Sequence, residues 1–232
     1  FSVLGQSLYC PKNYDGTYKG KITVRQALAQ SRNIPAVKIL ASYGLDKMID
    51  LGEKMGITTW QDRSRFGLSL TLGGGETKLL DLATVYSAIA NNGLKNEIKD
   101  ITKIENYNGK TIFDINKIEN ASEQVLDKRV AYLLIDTLKD NLARSPAFGS
   151  NSMLVIPEHP EVAVKTGTSN DLKDNLTIGF NQDFLVAVWV GNNDGSPMSR
   201  IASGITGAAP ICNKIMRVLI NNESSKEWPI PE

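Results

Sequence analysis

The sequence predicts an α+β fold, an antiparallel sheet flanked by helices with a helical subdomain beside it. Three observations carry this. Apolar residues recur at helical spacing through much of the first 140 residues. Three strand-like runs follow one another after residue 160. The order is a helical region, a small hairpin, three strands and a closing helix, with no internal repeat.

The elements follow in order. Residues 1–20 are rich in Gly, Tyr, Asn and Pro without periodicity and read as an irregular surface segment. Thr23 followed by Gln26 is a capping-box signature for a helix to about Gln30. Pro35 suits the first turn of a second helix to about Ser42, with Asn33 as its cap and Gly44 beyond its end. Asp46 to Met55 reads as a third, stopped by Gly56. Thr77 can cap a longer one, on which Leu79, Leu82, Ala83, Tyr86, Ile89 and Ala90 recur at helical spacing until Asn92-Gly93. Ile101–Tyr107, Asn108-Gly109 and Lys110–Ile115 form a hairpin pattern with a type I′ turn. Asp127 to Asn141 is helical. The run from Ala143 to Glu161 carries three prolines and reads as loop. Glu161–Thr168, Leu176–Phe180 and Phe184–Gly191 read as strands, the last two joined by a tight turn at Asn181-Gln182-Asp183. Thr206 can cap a last helix over about Gly207–Asn221, with Pro210 in its first turn. Residues 21–150 are thus mostly helical with a hairpin at about 98–115, and 161–221 supply the sheet and the C-terminal helix.

The 232 residues hold 26 basic and 25 acidic side chains, a net charge of +1. Nothing in that balance points to nucleic acid or an anionic membrane surface. No run approaches the length of a membrane span, and no leader peptide is visible. The chain begins at Phe1 rather than methionine, which suggests a fragment whose secretion signal or anchor lies elsewhere. Cys10 and Cys212 carry no spacing signal and read as two unpaired, partly buried thiols. His159 is the single histidine, so a histidine-rich metal site is excluded and a Ser-His-Asp triad would have to use this loop-like position.

Two motifs carry chemistry. Lys165-Thr166-Gly167-Thr168 ends a strand. Gly167 on an edge would let a substrate backbone approach, Lys165 supplies a positive charge, and Thr166 and Thr168 offer hydroxyls to a carboxylate. The Thr168 amide can serve as an oxyanion donor. Its bland reading is a strand end whose glycine opens a turn. Ser31-Arg32-Asn33 lies at a helix junction, and its bland reading is a cap. Together they are two of the three motifs of a penicillin-recognising serine acyl-transfer site. The third, Ser-Xaa-Xaa-Lys, is absent: no serine from Ser2 to Ser225 has a lysine three positions on. Gly73-Gly74-Gly75-Glu76 lacks the Gly-Lys-Ser/Thr of a phosphate loop and reads as a tight backbone crossing near a cleft. Trp189 reads as core. Asn120 and Asn175 head exposed-looking Asn-Xaa-Ser/Thr sites that mean little without a eukaryotic secretory origin.

With these residues assembled, the chain resembles the transpeptidase domain of class A penicillin-binding proteins, the bifunctional cell-wall synthases of bacteria. The resemblance rests on an ordered series of blocks. Asn13-Tyr14-Asp15-Gly16, Thr23–Leu28 and Ser31–Val37 come first, then Gly67–Glu76 and the helix Leu79–Gly93. Ala143–Gly149, Val164–Thr168, Val188–Asp194 and Gly207–Ile211 complete it. It implies a β-lactamase/transpeptidase-like fold with a five-stranded sheet and the site between sheet and helical subdomain. It also implies that the first two strands, the nucleophile helix, a glycosyltransferase domain and a membrane anchor lie upstream of Phe1.

The activity so implied is peptidoglycan D,D-transpeptidation with acylation by β-lactams. Ser31, Asn33 and Lys165 would be catalytic, Thr166, Gly167 and Thr168 would bind substrate, and no metal or organic cofactor would take part. Its partners would be peptidoglycan stem peptides, lipid-linked precursor strands and β-lactams, on the extracytoplasmic face of the bacterial membrane, with no nucleic acid. The membrane would be reached only through the upstream anchor. Without its nucleophile, the fragment is expected to be inactive and unstable alone. The alternatives are a non-catalytic domain of the same fold that recognises cell-wall peptide, or a D,D-carboxypeptidase or β-lactamase. A purely structural domain is the third.

Overall fold

The computed structural model describes residues 9–118, 121–169, 172–198 and 205–232. α1 (Val24–Ala29) opens on the expected capping box, with Thr23 and Gln26 each accepting the other's amide. α2 (Asn33–Tyr43) and α3 (Leu45–Met55) follow, ended by Gly44 at φ 104° and Gly56 at φ 119°, a region glycine enters without a Cβ clash. Asn33 does not cap α2; it is the helix's first residue. The Asn33 and Ile34 amides both donate to Asn13 Oδ1, at 3.1 and 3.4 Å. The cap comes from a side chain twenty residues upstream.

Two 3-10 turns, Arg63–Arg65 and Leu68–Leu72, lead to α4 (Leu79–Ala90). Thr77 does not cap it: the N-cap residue is Lys78, and the Thr77 hydroxyl donates to the Gly75 carbonyl. The glycine run is the tight crossing expected. A Cβ on Gly74 would stand 2.7 Å from Ser69 Oγ, and one on Gly75 2.5 Å from Leu70 Cδ1.

β1 (Leu94–Asn96), β2 (Lys103–Glu105), β3 (Thr111–Asp114) and β4 (Ser122–Gln124) make two antiparallel pairs, β1 with β4 and β2 with β3. The β2–β3 hairpin stands where expected, but its turn is not type I′. Of Asn108-Gly109 only Gly109 takes a positive φ, 76°, and Asn106 Oδ1 gathers the amides of Asn108 and Lys110. The β1–β4 pair has no counterpart in the sequence pattern, because three-residue strands are too short to show alternation.

α5 (Lys128–Lys139) and α6 (Asn141–Phe148) meet at Asp140, which caps α6 by accepting from the Ala143 amide at 2.8 Å. α6 overturns the loop expected from Ala143 onward. Pro146 lies inside it and lacks the amide that would bond the Leu142 carbonyl. Ser145 Oγ donates to that carbonyl instead, at 3.0 Å.

β5 (Ala163–Thr168), β6 (Asp174–Phe180) and β7 (Leu185–Gly191) form an antiparallel sheet in that order. α7 (Ala208–Leu219) covers one face, burying Val164, Val186 and Val188 with Ala209, Cys212 and Met216. Gly179 lets it approach: a Cβ there would lie 3.0 Å from Cys212 Sγ. Ile178 and Phe180 bury on the other face with residues of α4 and α5. A third cluster (Val37, Ile49, Trp60, Phe66, Leu70) lies under α2, α3 and the second 3-10 turn.

Smaller expectations change at Asn175, at the Thr206 cap and at Trp189. Asn175 is wholly buried, and its Oδ1 accepts from the Ala208 amide at 2.8 Å, so β6 supplies the cap of α7 while Gly207, not Thr206, holds the cap position. Asn120 lies outside the described residues. Trp189 is 39% exposed rather than core. Leu185 and Ala187 on its side of β7 join the cluster under α4, but Trp189 lies beyond it and donates to Asp174 Oδ1 at 2.9 Å. Both cysteines are free, Cys212 buried and Cys10 exposed. Among the described residues no helix is long and apolar enough to cross a membrane.

Candidate active site

Ser31 stands at the corner between α1 and α2. Its amide donates to the Leu28 carbonyl and its φ is 53°. That left-handed conformation costs a non-glycine residue roughly 1–2 kcal/mol, so the surroundings must hold it. The buried Arg32 donates to Asp15 Oδ2 at 2.7 Å and to Gln30 Oε1. The Arg32 guanidinium, and then the Thr17 amide, hold the Asp15 carboxyl far below the usual carboxylate range. Asn33 Nδ2 donates to the Lys12 carbonyl at 2.8 Å. Residues 12–17 therefore strap the corner down through the Asn13 and Asp15 side chains and the Lys12 carbonyl.

Lys165 reaches the corner from β5. It pairs with Ile178 in register, and directly opposed residues of an antiparallel pair share a face, so Lys165 projects toward the helical side. Its Nζ donates to Ser31 Oγ at 2.6 Å and to the Thr166 carbonyl at 2.6 Å. The two motifs, 134 residues apart in sequence, thus meet. The residue as a whole is only partly covered, but desolvation of its ammonium, and then the charge of Arg144, push it down to about 8.

Arg144 comes from α6 and is 4% exposed. Its Nη1 donates to the Val164 carbonyl at 3.3 Å, and its Nε has no partner. Burial pushes its guanidinium down to about 10, with the charge of Asp140 opposing.

Thr166, Gly167 and Thr168 pair with Thr177, Leu176 and Asn175 and are each half-buried. Among the described residues β5 has no strand on its outer side, so its edge is open to an extended ligand. A Cβ on Gly167 would meet only Leu176, 3.5 Å away at nearest, which is ordinary contact. The fold itself does not demand glycine there. Asn33 belongs to the same corner, but its amide is bonded to Lys12 rather than to β5. His159 lies apart, buried with its Nδ1 2.8 Å from Glu161 Oε1. No group of three or more His, Cys, Asp or Glu among the described residues could hold a metal ion.

This arrangement can do two things. A lysine with a value near 8 against a hydroxyl can exchange a proton near neutral pH. A cation beside an open strand edge can hold the carboxylate end of a peptide.

A family model, the penicillin binding protein transpeptidase domain, matches residues 5–217. The chain belongs to the penicillin-binding protein transpeptidase family. It is 33% identical over 229 residues to penicillin-binding protein 1A of Neisseria meningitidis, covering 97% of this chain and 28% of that protein. The chain thus spans under a third of the length of the curated relatives it matches. Penicillin-binding protein 1A from Haemophilus influenzae superposes with a TM-score of 0.85 at 22% identity, over all of this chain and 39% of that one. PonA1 from Mycobacterium tuberculosis in complex with penicillin V gives 0.79 at 22%, over 95% and 62%. At that identity the two structures speak for the fold, and they bear out the α+β transpeptidase architecture.

In this transpeptidase domain the sequence exposed Ser31, Asn33 and Lys165–Thr168 as candidates. It left out Arg144 and Asn13. Arg144 was hidden by Pro146, which made its helix read as loop. Asn13 sits in an aperiodic segment, where nothing local shows that it caps a distant helix.

Proposed function

We propose that this domain forms the acyl-transfer site of a class A peptidoglycan D,D-transpeptidase. The observation that carries the reading is the hydrogen bond from Lys165 Nζ to Ser31 Oγ. The nucleophile is a serine of a Ser-Xaa-Xaa-Lys motif, which none of these 232 residues supplies and the rest of the polypeptide contributes, together with a glycosyltransferase domain and a membrane anchor. Its Oγ attacks the carbonyl carbon between two terminal D-alanines while its proton passes to the motif's lysine. As the C–N bond breaks, Ser31 gives its hydroxyl proton to the departing amine nitrogen and takes another from a neighbouring lysine.

Asn33 hydrogen-bonds the substrate backbone. Lys165, Thr166 and Thr168 receive the terminal carboxylate, Gly167 leaves room for it, and the Thr168 amide helps hold the oxyanion. An amine from a second stem peptide then attacks the ester carbon, which forms the cross-link and frees the serine. β-Lactams acylate the same serine. The substrates are stem peptides on lipid-linked strands, reached on the extracytoplasmic face of the membrane, and no cofactor enters the reaction.

The test is covalent labelling with a fluorescent penicillin. The full-length protein is expected to label at one serine, while the 232-residue chain alone is expected not to label. A full-length protein that keeps its Ser-Xaa-Xaa-Lys motif, folds and fails to label would sink the reading and favour a peptide-recognition domain.

A further inference from the structure

Arg144 is buried and forms no ion pair among the described residues, and its only hydrogen bond goes to a backbone carbonyl. A buried guanidinium left that way is costly. Its placement gives a reason. Gln30, next to Ser31, donates from Nε2 to the carbonyl of Ala143, next to Arg144, at 3.1 Å. Arg144 Nη1 donates to the carbonyl of Val164, next to Lys165. Lys165 closes the circuit on Ser31. Three hydrogen bonds therefore link the serine corner, α6 and the β5 edge into a ring, with Arg144 as the member that touches the strand. The carbonyls of Val164 and Thr166, two residues apart on β5, share one edge and receive the two cations side by side.

We propose that Arg144 is a positioning residue for the acyl-transfer step: it pins β5 beside Lys165 and sets a second positive charge against the ammonium, which favours passage of a proton from Lys165 Nζ to Ser31 Oγ. This rests on the function proposed above. In that step the Ser31 O–H proton goes to the amine nitrogen as its C–N bond breaks, a Lys165 N–H proton replaces it, and Lys165 is left neutral. A nearby like charge disfavours the charged form of the lysine, so the protonated lysine becomes a stronger acid. Among the described residues, Lys165 Nζ bonds the Ser31 hydroxyl from the α1–α2 corner and the Thr166 carbonyl of β5 itself, and the charge that acts on it is that of Arg144 from α6. Asp140, the one carboxylate whose charge acts on Arg144, is shared with Arg25 and the Ala143 amide.

The experiment is the pH profile of β-lactam acylation, measured by stopped-flow on the full-length protein and its variants, with thermal midpoints recorded alongside. The unaltered protein is expected to lose rate on an alkaline limb near pH 8, as Lys165 deprotonates. A limb in the ordinary lysine range, about 10.4, overturns the proposal without any variant. Arg144→Gln is expected to move the limb up by about one pH unit and to slow acylation at neutral pH roughly tenfold. Arg144→Met removes the charge but keeps the stem's packing, and is expected to move the limb the same way if the glutamine variant does not fold. Arg144→Lys keeps the charge and is expected to hold the limb in place. A limb unmoved in the neutral variants makes Arg144 a packing residue and ends the proposal, as does an equal shift in the lysine variant. Absence of any acylation in the unaltered protein would instead remove the functional reading beneath it.

Discussion

The corner that carries Ser31 and the strand edge that carries Lys165 meet at one hydrogen bond but are held by different physics. The edge inherits its geometry from a backbone ladder: six consecutive residues of β5 pair in register with β6, and β6 pairs with β7 along its whole length. Removing any one side chain leaves that ladder intact. The corner has no ladder. It is a left-handed serine between two helices, strapped by Asn13, Asp15 and Lys12 from an irregular segment. The edge is therefore rigid by default, whereas the corner is rigid only while a few side chains stay in place.

This contrast can be broken in several ways. Lys165→Ala should have the largest effect on chemistry, slowing penicillin acylation of the full-length protein by roughly 10²–10⁴-fold. The ladder should survive it, so the melting midpoint should move little. A large fall in the midpoint would mean that the edge depends on its side chains after all.

Ser31 supplies the reciprocal test. Ser31→Ala and Ser31→Gly should both slow acylation severely, toward the lower part of the same range. Only glycine relieves the left-handed backbone, so it should be more stable than the alanine variant by roughly 1 kcal/mol in urea unfolding. Equal stability of the two would show that the corner is not strained.

Capping separates the regions next. Asn13→Ala should lower stability by about 1 kcal/mol and slow acylation as well, because the cap it removes seats Asn33. Asn175→Ala removes a cap of similar worth from α7 and should leave acylation closer to that of the parent. If the two variants affected acylation alike, the strap would have no special tie to the site.

The smallest effects should be pH-dependent and local. Asp15 has a folded-state value depressed by Arg32. Its contribution is thus fully present above the unfolded value of about 3.9 and fades as the pH falls through the folded one. Asp15→Asn should lower the melting midpoint at neutral pH, and the gap should narrow as the pH drops below about 4. A gap that stays constant down to strongly acid pH would show that the ion pair is not what holds the corner. Trp189→Ala, on the sheet but beyond the core, should cost under about 1 kcal/mol.

Much of the framework was legible because it depends on near neighbours in the chain. The Thr23–Gln26 capping box, the glycine stops at Gly44 and Gly56, the three strands and the β2–β3 hairpin all stand within a few residues of where the sequence puts them. The misses share a cause. Asn33, Thr77 and Thr206 were each expected to cap the helix beside them. For α2 and α7 the helix amides donate instead to Asn13 and Asn175, far away in sequence. Pro146 was read as a break, yet Ser145 takes up the carbonyl it leaves free. Trp189 was read as core because its strand is apolar, but exposure depends on where the covering helices end.

Residue types and their order alone decided the helix and strand assignments other than α6 and the β1–β4 pair, the family blocks and the two motifs that could form a site, because propensity, periodicity and turn chemistry act over three to seven residues. Only the folded chain decided that Lys165 bonds Ser31, that the buried Arg144 bonds the carbonyl next to Lys165, and that Asn13 holds the corner. Those contacts join residues from 20 to 134 positions apart. Which side chains meet over such distances is set by helices packing on sheet faces, and no local pattern encodes it.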